Sequence, residues 1–309
     1  MFACTPAAGG RAGWLPATLL TLFFSMALAA CDNGDPAPAT MIDGTPAIWE
    51  IASADGTLEG WLFGTIHALP DGTRWRSEAV QQAVENADLL VVEIAALEDS
   101  DVIARTFLTL SHTPGQPPLT ARVPAAQHEE LAELVERSRY DARDFAAIES
   151  WGAALILAQS SASTLDTANG VDKALVREFR PSRPIREVEG VRAQLSVFDT
   201  LPEAEQRDLL SLTVADAARP ESVRRKTVKH WLEGDVEALL DPGVETLLDD
   251  PELREVLVEG RNRNWMPTLT AMLEQQPKPL IAVGAGHMGG PEGLPVLLRK
   301  SGYTVTRMQ

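Results

Sequence analysis

Two of the five histidines in this 309-residue chain occupy the same local pattern. His67 ends the segment GTIH at residues 64–67, and His287 ends the segment GAGH at residues 284–287. In each case an apolar run predicts a β-strand that stops at the first glycine. Ligand sites in α/β sheets lie beyond the carboxyl ends of the strands. Two imidazoles delivered in this way converge if their strands are neighbours.

An acidic residue has a comparable position. Glu93 follows the apolar run LLVV at residues 89–92, which predicts a buried strand. His67, Glu93 and His287 therefore predict a three-ligand metal site with one position open. Imidazole and carboxylate ligands suit Mn, Co, Zn or Fe and do not choose among them. The simpler explanation for each residue is a hydrogen-bonded polar side chain or a strand terminus that reaches solvent.

Other catalytic patterns are weaker. Residues 284–289 fit GxGxxG after a strand, but dinucleotide binding also requires an acidic residue about 20 residues later. The strand predicted at residues 303–308 offers threonine and arginine instead. The chain contains neither GxSxG nor HExxH, which argues against a serine hydrolase of the α/β type and against a common zincin.

Composition excludes two further classes of protein. The chain carries 27 Lys+Arg against 44 Asp+Glu, for a net charge of −17. General nucleic-acid binding depends on cationic side chains that neutralise phosphates, so no nucleic-acid partner is expected. The two cysteines cannot build a disulfide-dense scaffold.

The N-terminal segment predicts export and lipidation. Residues 14–30 are almost wholly apolar and follow Arg11, as in a secretory signal. The segment LAAC that ends at Cys31 resembles the lipobox of bacterial lipoproteins, which implies cleavage before Cys31 and lipidation of its thiol. An uncleaved membrane anchor is the alternative, although the apolar stretch is short for a membrane span. We expect a signal peptide at 1–30, a lipidated tether at 31–46 and one domain at 47–309.

The remaining pattern predicts an α/β (α+β) fold. Two strands joined at Asp55-Gly56 begin the domain, and two further strands end it. Apolar residues at helical spacing dominate the middle of the chain. We therefore expect a mixed central sheet with metal-site loops at strand ends and a large helical insert. The predicted helices cover residues 77–86, 124–140, 144–161, 202–218, 220–240, 251–275 and 291–300, and the predicted strands cover 49–52, 59–64, 89–94, 185–188, 280–283 and 303–308.

These motifs together resemble the TraB/GumN family, which includes the Tiki-type metalloproteases. The resemblance extends over roughly residues 49–308 and is carried by GTIH, LLVVE and the tail AVGAGHMGGPEGLPVLLRKSGYTV. Arg261-Asn262 matches an Arg-Asn pair of the family. Asp172 lies in a matching NGVD segment, and Glu189, followed by Gln194, matches a signature that usually reads closer to Leu-Glu-Thr.

The resemblance implies a function and a set of roles. His67, Glu93 and His287 would bind one divalent metal, leaving a position for water. Glu189 or Asp172 would act as the base, and Arg261 would stabilise an oxyanion or form a salt bridge that anchors its helix. The expected activity is metal-dependent hydrolysis, most readily of extracytoplasmic peptides or proteins.

The alternative is a lipoprotein that uses the same histidine pair to bind haem, a metal or a peptide without catalysis. In either case the protein would contact the membrane only through its lipid anchor and would face the periplasm or the cell exterior.

Overall fold

The computed structural model describes residues 42–97, 99–160, 165–244, 246–275 and 277–309. The predicted signal peptide and Cys31 lie outside these residues. The predicted tether is described from Ile42 onward, where β1 (Ile42–Asp43) pairs in parallel with β4 (Thr73–Arg74). The chain is therefore attached to the domain several residues before position 47.

The central sheet contains six strands and mixes parallel and antiparallel pairs. Four neighbouring strands are parallel, and the last two pairs at the other edge are antiparallel. The strands are β2 (Ile48–Ala52), β3 (Leu58–Thr65), β5 (Leu89–Val92), β6 (Ile185–Glu187), β7 (Pro279–Gly284) and β8 (Thr304–Arg307). Their order in the sheet is β6-β5-β7-β3-β2-β8. This arrangement confirms the predicted mixed sheet.

Helices cover both faces of the sheet, and most of them lie between β5 and β7 in the chain, as the predicted helical insert requires. No helix in the described ranges has the length and apolar character needed to cross a membrane. The α-helices in the described residues are α1 (Glu78–Asn86), α2 (Ser100–Ser111), α3 (His128–Arg137), α4 (Ser150–Ala158), α5 (Val171–Phe179), α6 (Val191–Asp199), α7 (Glu203–Ala217), α8 (Glu221–Leu232), α9 (Pro251–Arg254), α10 (Gly260–Leu273) and α11 (Leu294–Lys300).

The parallel strands are apolar on both sides because each side faces a separate core. Leu280 and Ala282 of β7 belong to the larger core, while Ile281 and Val283 belong to the smaller one. Successive side chains of a strand point to opposite faces, so a strand buried on both faces reads as a continuous apolar run. Helices α10 and α11 contribute to the smaller core, on the face opposite the main helical insert.

The helix predicted at residues 220–240 ends at Leu232 in the structure. Gly234 adopts a φ of +69°, a left-handed conformation that suits glycine after a helix end. An added Cβ at Gly234 would also lie 2.9 Å from the Thr45 carbonyl oxygen, so the turn packs closely on the N-terminal segment. The remainder of the predicted helix is a loop with a short 3-10 turn at Ala238–Leu240.

The helix predicted at residues 251–275 is one helical segment with a widened turn. Helix α9 continues through a π-helical stretch, Glu255–Glu259, into α10. Such turns are rare in proteins overall, and those that occur are frequently found at functional sites. Here the π turn directly precedes Arg261 and Asn262, two adjacent residues that both reach the same histidine, as described below.

A hydrogen bond connects the helical insert to the first histidine segment. Trp231 of α8 is buried, and its indole Nε1 donates to the Gly64 carbonyl oxygen at 2.8 Å. The Trp231 ring also packs against Phe63, with 6.5 Å between ring centroids. The end of β3, where GTIH begins, is therefore held by both packing and a buried hydrogen bond.

Candidate functional site

The sheet order brings the two histidine segments together. Strand β7 lies between β3 and β5, and all three strands are parallel. Their carboxyl ends therefore meet at one edge of the sheet, with His67 after β3, Glu93 after β5 and His287 after β7. This is the edge at which α/β folds form ligand sites.

His287 is buried and held in one tautomer. Its Nδ1 lies 2.6 Å from Asn262 Oδ1. The amide nitrogen of Asn262 donates to two main-chain carbonyls, those of His287 at 3.2 Å and Glu292 at 2.8 Å. These two bonds assign Oδ1 as the acceptor, so Nδ1 of His287 carries the proton. The other ring nitrogen, Nε2, is therefore unprotonated, and its lone pair faces Arg261.

Arg261 fills the space beside this lone pair. Its Nη1 lies 3.4 Å from His287 Nε2 and donates to the Leu257 carbonyl at 2.8 Å. Its Nε and Nη2 form a fork on Glu189, at 2.9 and 2.8 Å, and Nη2 also donates to Glu93 at 2.6 Å. A guanidinium has five N–H groups. All five are directed at these four partners, so no donor remains for a substrate oxyanion in this arrangement.

Glu93 accepts three hydrogen bonds. The main-chain N–H of Gly284 donates to Oε1 at 2.8 Å, and Gln194 donates to Oε2 at 2.9 Å beside the Arg261 contact. Burial by itself would raise the pKa of Glu93. The positive charges of Arg261 and His67, together with the Gly284 bond, outweigh burial and lower the pKa of Glu93 below its ordinary value. Glu93 is therefore a carboxylate at neutral pH.

The same surroundings keep His287 neutral. Burial is the main cause, and the positive charges of Arg261 and His67 add to it, so the pKa of His287 falls to about 3 despite the attraction of Glu93. With His287 neutral, the guanidinium of Arg261 is the fixed positive charge that keeps Glu93 ionised.

His67 lies at the open side of the site. Its Nδ1 is 3.3 Å from Asp172 Oδ2, and 48% of its side chain is exposed. Partial burial lowers the pKa of His67, but the charges of Asp172 and Glu93 outweigh it and raise the pKa above its ordinary value. Water screens part of this attraction, because the imidazole is half exposed.

A small cavity lies beside His67 and Glu93. It has a volume of about 30 Å³, and its lining includes His67, Glu93, Asp172 and Gln194. This volume is enough for one or two water molecules. The second carboxylate oxygen of Asp172, Oδ1, is buried and has no hydrogen-bond partner. Asp172, which lines the cavity, therefore has one carboxylate oxygen that lacks a donor.

The imidazole nitrogens of His67 and His287 and the carboxylate of Glu93 are chemically suited to a divalent metal, although Arg261 occupies part of the space. Within the described ranges, no three His, Cys, Asp or Glu side chains already stand together as a metal-binding group. His287 Nε2 and Glu93 Oε1 are 3.9 Å apart, which two ligand bonds of about 2.0–2.2 Å can span. Both imidazoles are held through Nδ1 by a side-chain oxygen, as histidine ligands of metals usually are.

The site includes residues that sequence reasoning assigned differently or did not single out. Asn262, noted in the sequence only as part of the Arg-Asn pair, orients His287. Trp265 packs its ring against the imidazole of His287, with 4.4 Å between centroids, and under the guanidinium of Arg261 at 4.8 Å. The spacing of Arg261 and Trp265, four residues apart on one helix, was the available signal. Glu189 contacts Arg261 and does not line the cavity.

Comparison with known proteins gives one match. The sequence model described as the TraB/PrgY/gumN family matches residues 47–307, which is most of the chain. No curated protein and no solved structure matches the chain.

We predict that Asn262→Leu frees the ring of His287. The variant loses three buried hydrogen bonds and leaves two carbonyls without this donor, so its free energy of unfolding should fall by about 2–4 kcal/mol. The tautomer is read from ¹⁵N chemical shifts of the His287 ring at pH 7, where wild type should show a protonated Nδ1. A matched change at Asn86, an exposed residue at the end of α1, should leave the His287 spectrum unchanged. An unprotonated Nδ1 of His287 in the wild type would contradict the assignment.

Proposed function

The chain belongs to the TraB/PrgY/gumN family, and from this membership and the site geometry we propose that it is a metal-dependent hydrolase. The substrate class that we propose is an extracytoplasmic peptide or protein. The geometry bears on the reaction type, while the substrate class rests on the family resemblance and the predicted export. The two parts of the proposal therefore have separate tests.

One observation carries the proposal. Two histidines at the ends of the neighbouring parallel strands β3 and β7 are each held through Nδ1 by a side-chain oxygen, and the carboxylate of Glu93 follows β5, the strand on the other side of β7. In His287 the partner is Asn262 at 2.6 Å, and in His67 it is Asp172 at 3.3 Å. Two imidazoles and one carboxylate are residue types that ligate a divalent metal in a site with an open position.

His67, Glu93 and His287 would hold the ion. A divalent metal bound there, whether Mn, Co, Zn or Fe, would polarise a carbonyl group and lower the pKa of a water molecule. The protein supplies the orientation: Asn262 and Asp172 set the imidazoles, while Gly284 and Gln194 set the carboxylate of Glu93.

Asp172 is the better placed of the two candidate bases. Asp172 lines the cavity, and its buried Oδ1 has no hydrogen-bond partner, so its carboxylate could accept a proton from a water molecule there. Glu189 has both oxygens in the fork of Arg261. We therefore propose Asp172 as the general base and assign Glu189 to holding Arg261.

A haem-binding role has less support. His287 is buried against Trp265, and the cavity beside Glu93 has a volume of about 30 Å³, far below that of a macrocycle. Non-catalytic binding of a metal or a peptide uses the same residues as the hydrolase proposal, and peptide cleavage distinguishes the two.

We also propose that the mature protein is a lipoprotein anchored through Cys31, and we predict the effect of Cys31→Ala. In a bacterial host, wild type should incorporate labelled fatty acid and begin at residue 31, whereas Cys31→Ala should remain unlabelled and unprocessed. Cys4→Ala is the matched control and should behave as wild type, because residue 4 is removed with the signal. A wild-type protein without label would contradict the anchor.

We predict that His67→Ala, Glu93→Gln and His287→Ala each lose bound metal, because two remaining ligands hold an ion poorly. Metal content would be measured by elemental analysis of untagged full-length protein, with folding checked by circular dichroism. His112→Ala, an exposed histidine outside the site, is the control. Cleavage of a peptide library should disappear in the same three variants. Metal retained in all three would contradict the ligand assignment, and metal without cleavage in wild type would favour a binding protein.

We predict that metal affinity weakens as the pH falls, because a ligating imidazole must be neutral. The raised pKa of His67 places this loss at a higher pH than for an ordinary histidine. Below that pKa the dissociation constant should rise about tenfold per pH unit, since one proton competes with one ion. Asp172→Asn removes the main attraction on His67 and should shift the profile to lower pH. Equal profiles for the two proteins would exclude His67 as the titrating ligand.

A further inference from the structure

Arg261 occupies space beside two of the proposed metal ligands. It is buried, with 10% of its side chain exposed, and its guanidinium contacts both Glu93 Oε2 and the region of His287 Nε2. These are atoms of two of the three proposed ligands. A guanidinium and a metal ion are both cations, so they repel each other when they share one carboxylate.

The contacts of Arg261 divide into two groups. One group reaches the proposed ligands, with a single short bond to Glu93 at 2.6 Å and a long contact to His287 at 3.4 Å. The other group is independent of the ligands and consists of the two-bond fork on Glu189 and the bond to the Leu257 carbonyl at 2.8 Å. Planar two-bond pairing with a carboxylate is the strong contact of an arginine. Arg261 can therefore release the ligands and keep its firmest partner.

We propose that Arg261 is an internal counter-cation that neutralises Glu93 and blocks His287 Nε2 while the metal is absent, and that it withdraws onto Glu189 when a divalent metal binds. This inference rests on the proposed function, because it assumes that the metal uses Glu93 and His287. It adds an assignment for Glu189, which becomes the carboxylate that receives the displaced arginine.

The proposal explains two features of the site. A buried carboxylate without a partner costs several kcal/mol, so Glu93 needs a cation before any ion arrives. Glu189 has 10% of its side chain exposed and no contact with the cavity, which makes it unsuited to chemistry on a substrate and suited to holding a buried arginine. The Trp265 face under the guanidinium provides a surface along which it remains packed.

The proposal is tested without reference to activity by isothermal titration calorimetry, which measures the affinity of untagged full-length protein for Mn²⁺ and for Zn²⁺. Arg261→Gln should bind each ion more tightly than wild type, by about tenfold or more, because the competing charge is gone. Glu189→Gln should bind more weakly than wild type, since Arg261 then has only Glu93 as a carboxylate partner. The double variant should resemble Arg261→Gln, because Glu189 acts through Arg261.

Controls separate this effect from general changes in charge or folding. Arg263→Gln removes an exposed arginine two residues away, paired with Glu255 and Glu292, and should leave affinity unchanged. If Arg261→Gln fails to fold because two carboxylates lose their cation, the double variant, which removes one charge of each sign, provides the measurement.

The outcomes distinguish a failure of the counter-cation proposal from a failure of the proposed function. Tighter binding in Arg261→Gln, including binding where wild type shows none, supports the counter-cation. Unchanged or weaker binding in that variant, with metal bound by wild type, overturns the counter-cation and leaves the proposed function standing. No binding of either ion by wild type, Arg261→Gln or the double variant overturns the proposed function as well.

Discussion

A buried guanidinium connects the elements on which the candidate site stands. Arg261 extends from α10 to Glu93 after β5, to Glu189 after β6 and to the ring of His287 after β7. Each carboxylate would be costly to bury without this cation, and the cation would be costly to bury without them. The ends of three strands and the start of α10 therefore depend on one set of contacts. The same contacts hold these elements together and position the residues of the candidate site.

The site has a fixed side and an accessible side. His287 is buried, neutral and held between Asn262 and Trp265, so its position is set before any ligand arrives. His67 is half exposed and pairs with Asp172 beside the small cavity. A substrate or an ion would therefore approach from the side of β3 and α5. Preorganisation of one side with access from the other suits both hydrolysis and metal uptake.

The strands and the helical insert contribute different kinds of residue. The proposed ligands follow β3, β5 and β7, where the backbone is rigid and buried. The residues that orient or neutralise them come from the connections between β5 and β7, namely Asp172, Gln194, Glu189, Arg261 and Asn262. Variation in the insert can therefore retune charge and access while the ligands keep their places, as is usual when one fold carries several chemistries.

The local sequence determined which strands end directly before the candidate site residues. Apolar runs that stop at glycine predicted β3 and β7, and the run before Glu93 predicted β5, because strand periodicity and glycine conformation act over a few residues. The mixed sheet and the helical insert followed from the order of these elements. The end of the predicted 220–240 helix did not follow from the local sequence, because the turn at Gly234 is set by its approach to Thr45.

Only the tertiary structure decided which charges meet. Arg261 pairs with Glu93, a residue 168 positions away, and with Glu189, instead of offering its N–H groups to a substrate. Sequence could not decide this, because the energy of a charge depends on burial and on partners brought together by strand pairing. The insertion of β7 between β3 and β5 is a non-local choice of the same kind. It places the two histidine segments on neighbouring strands, while Arg261 reaches Glu93 and His287 from the helix that follows the π turn.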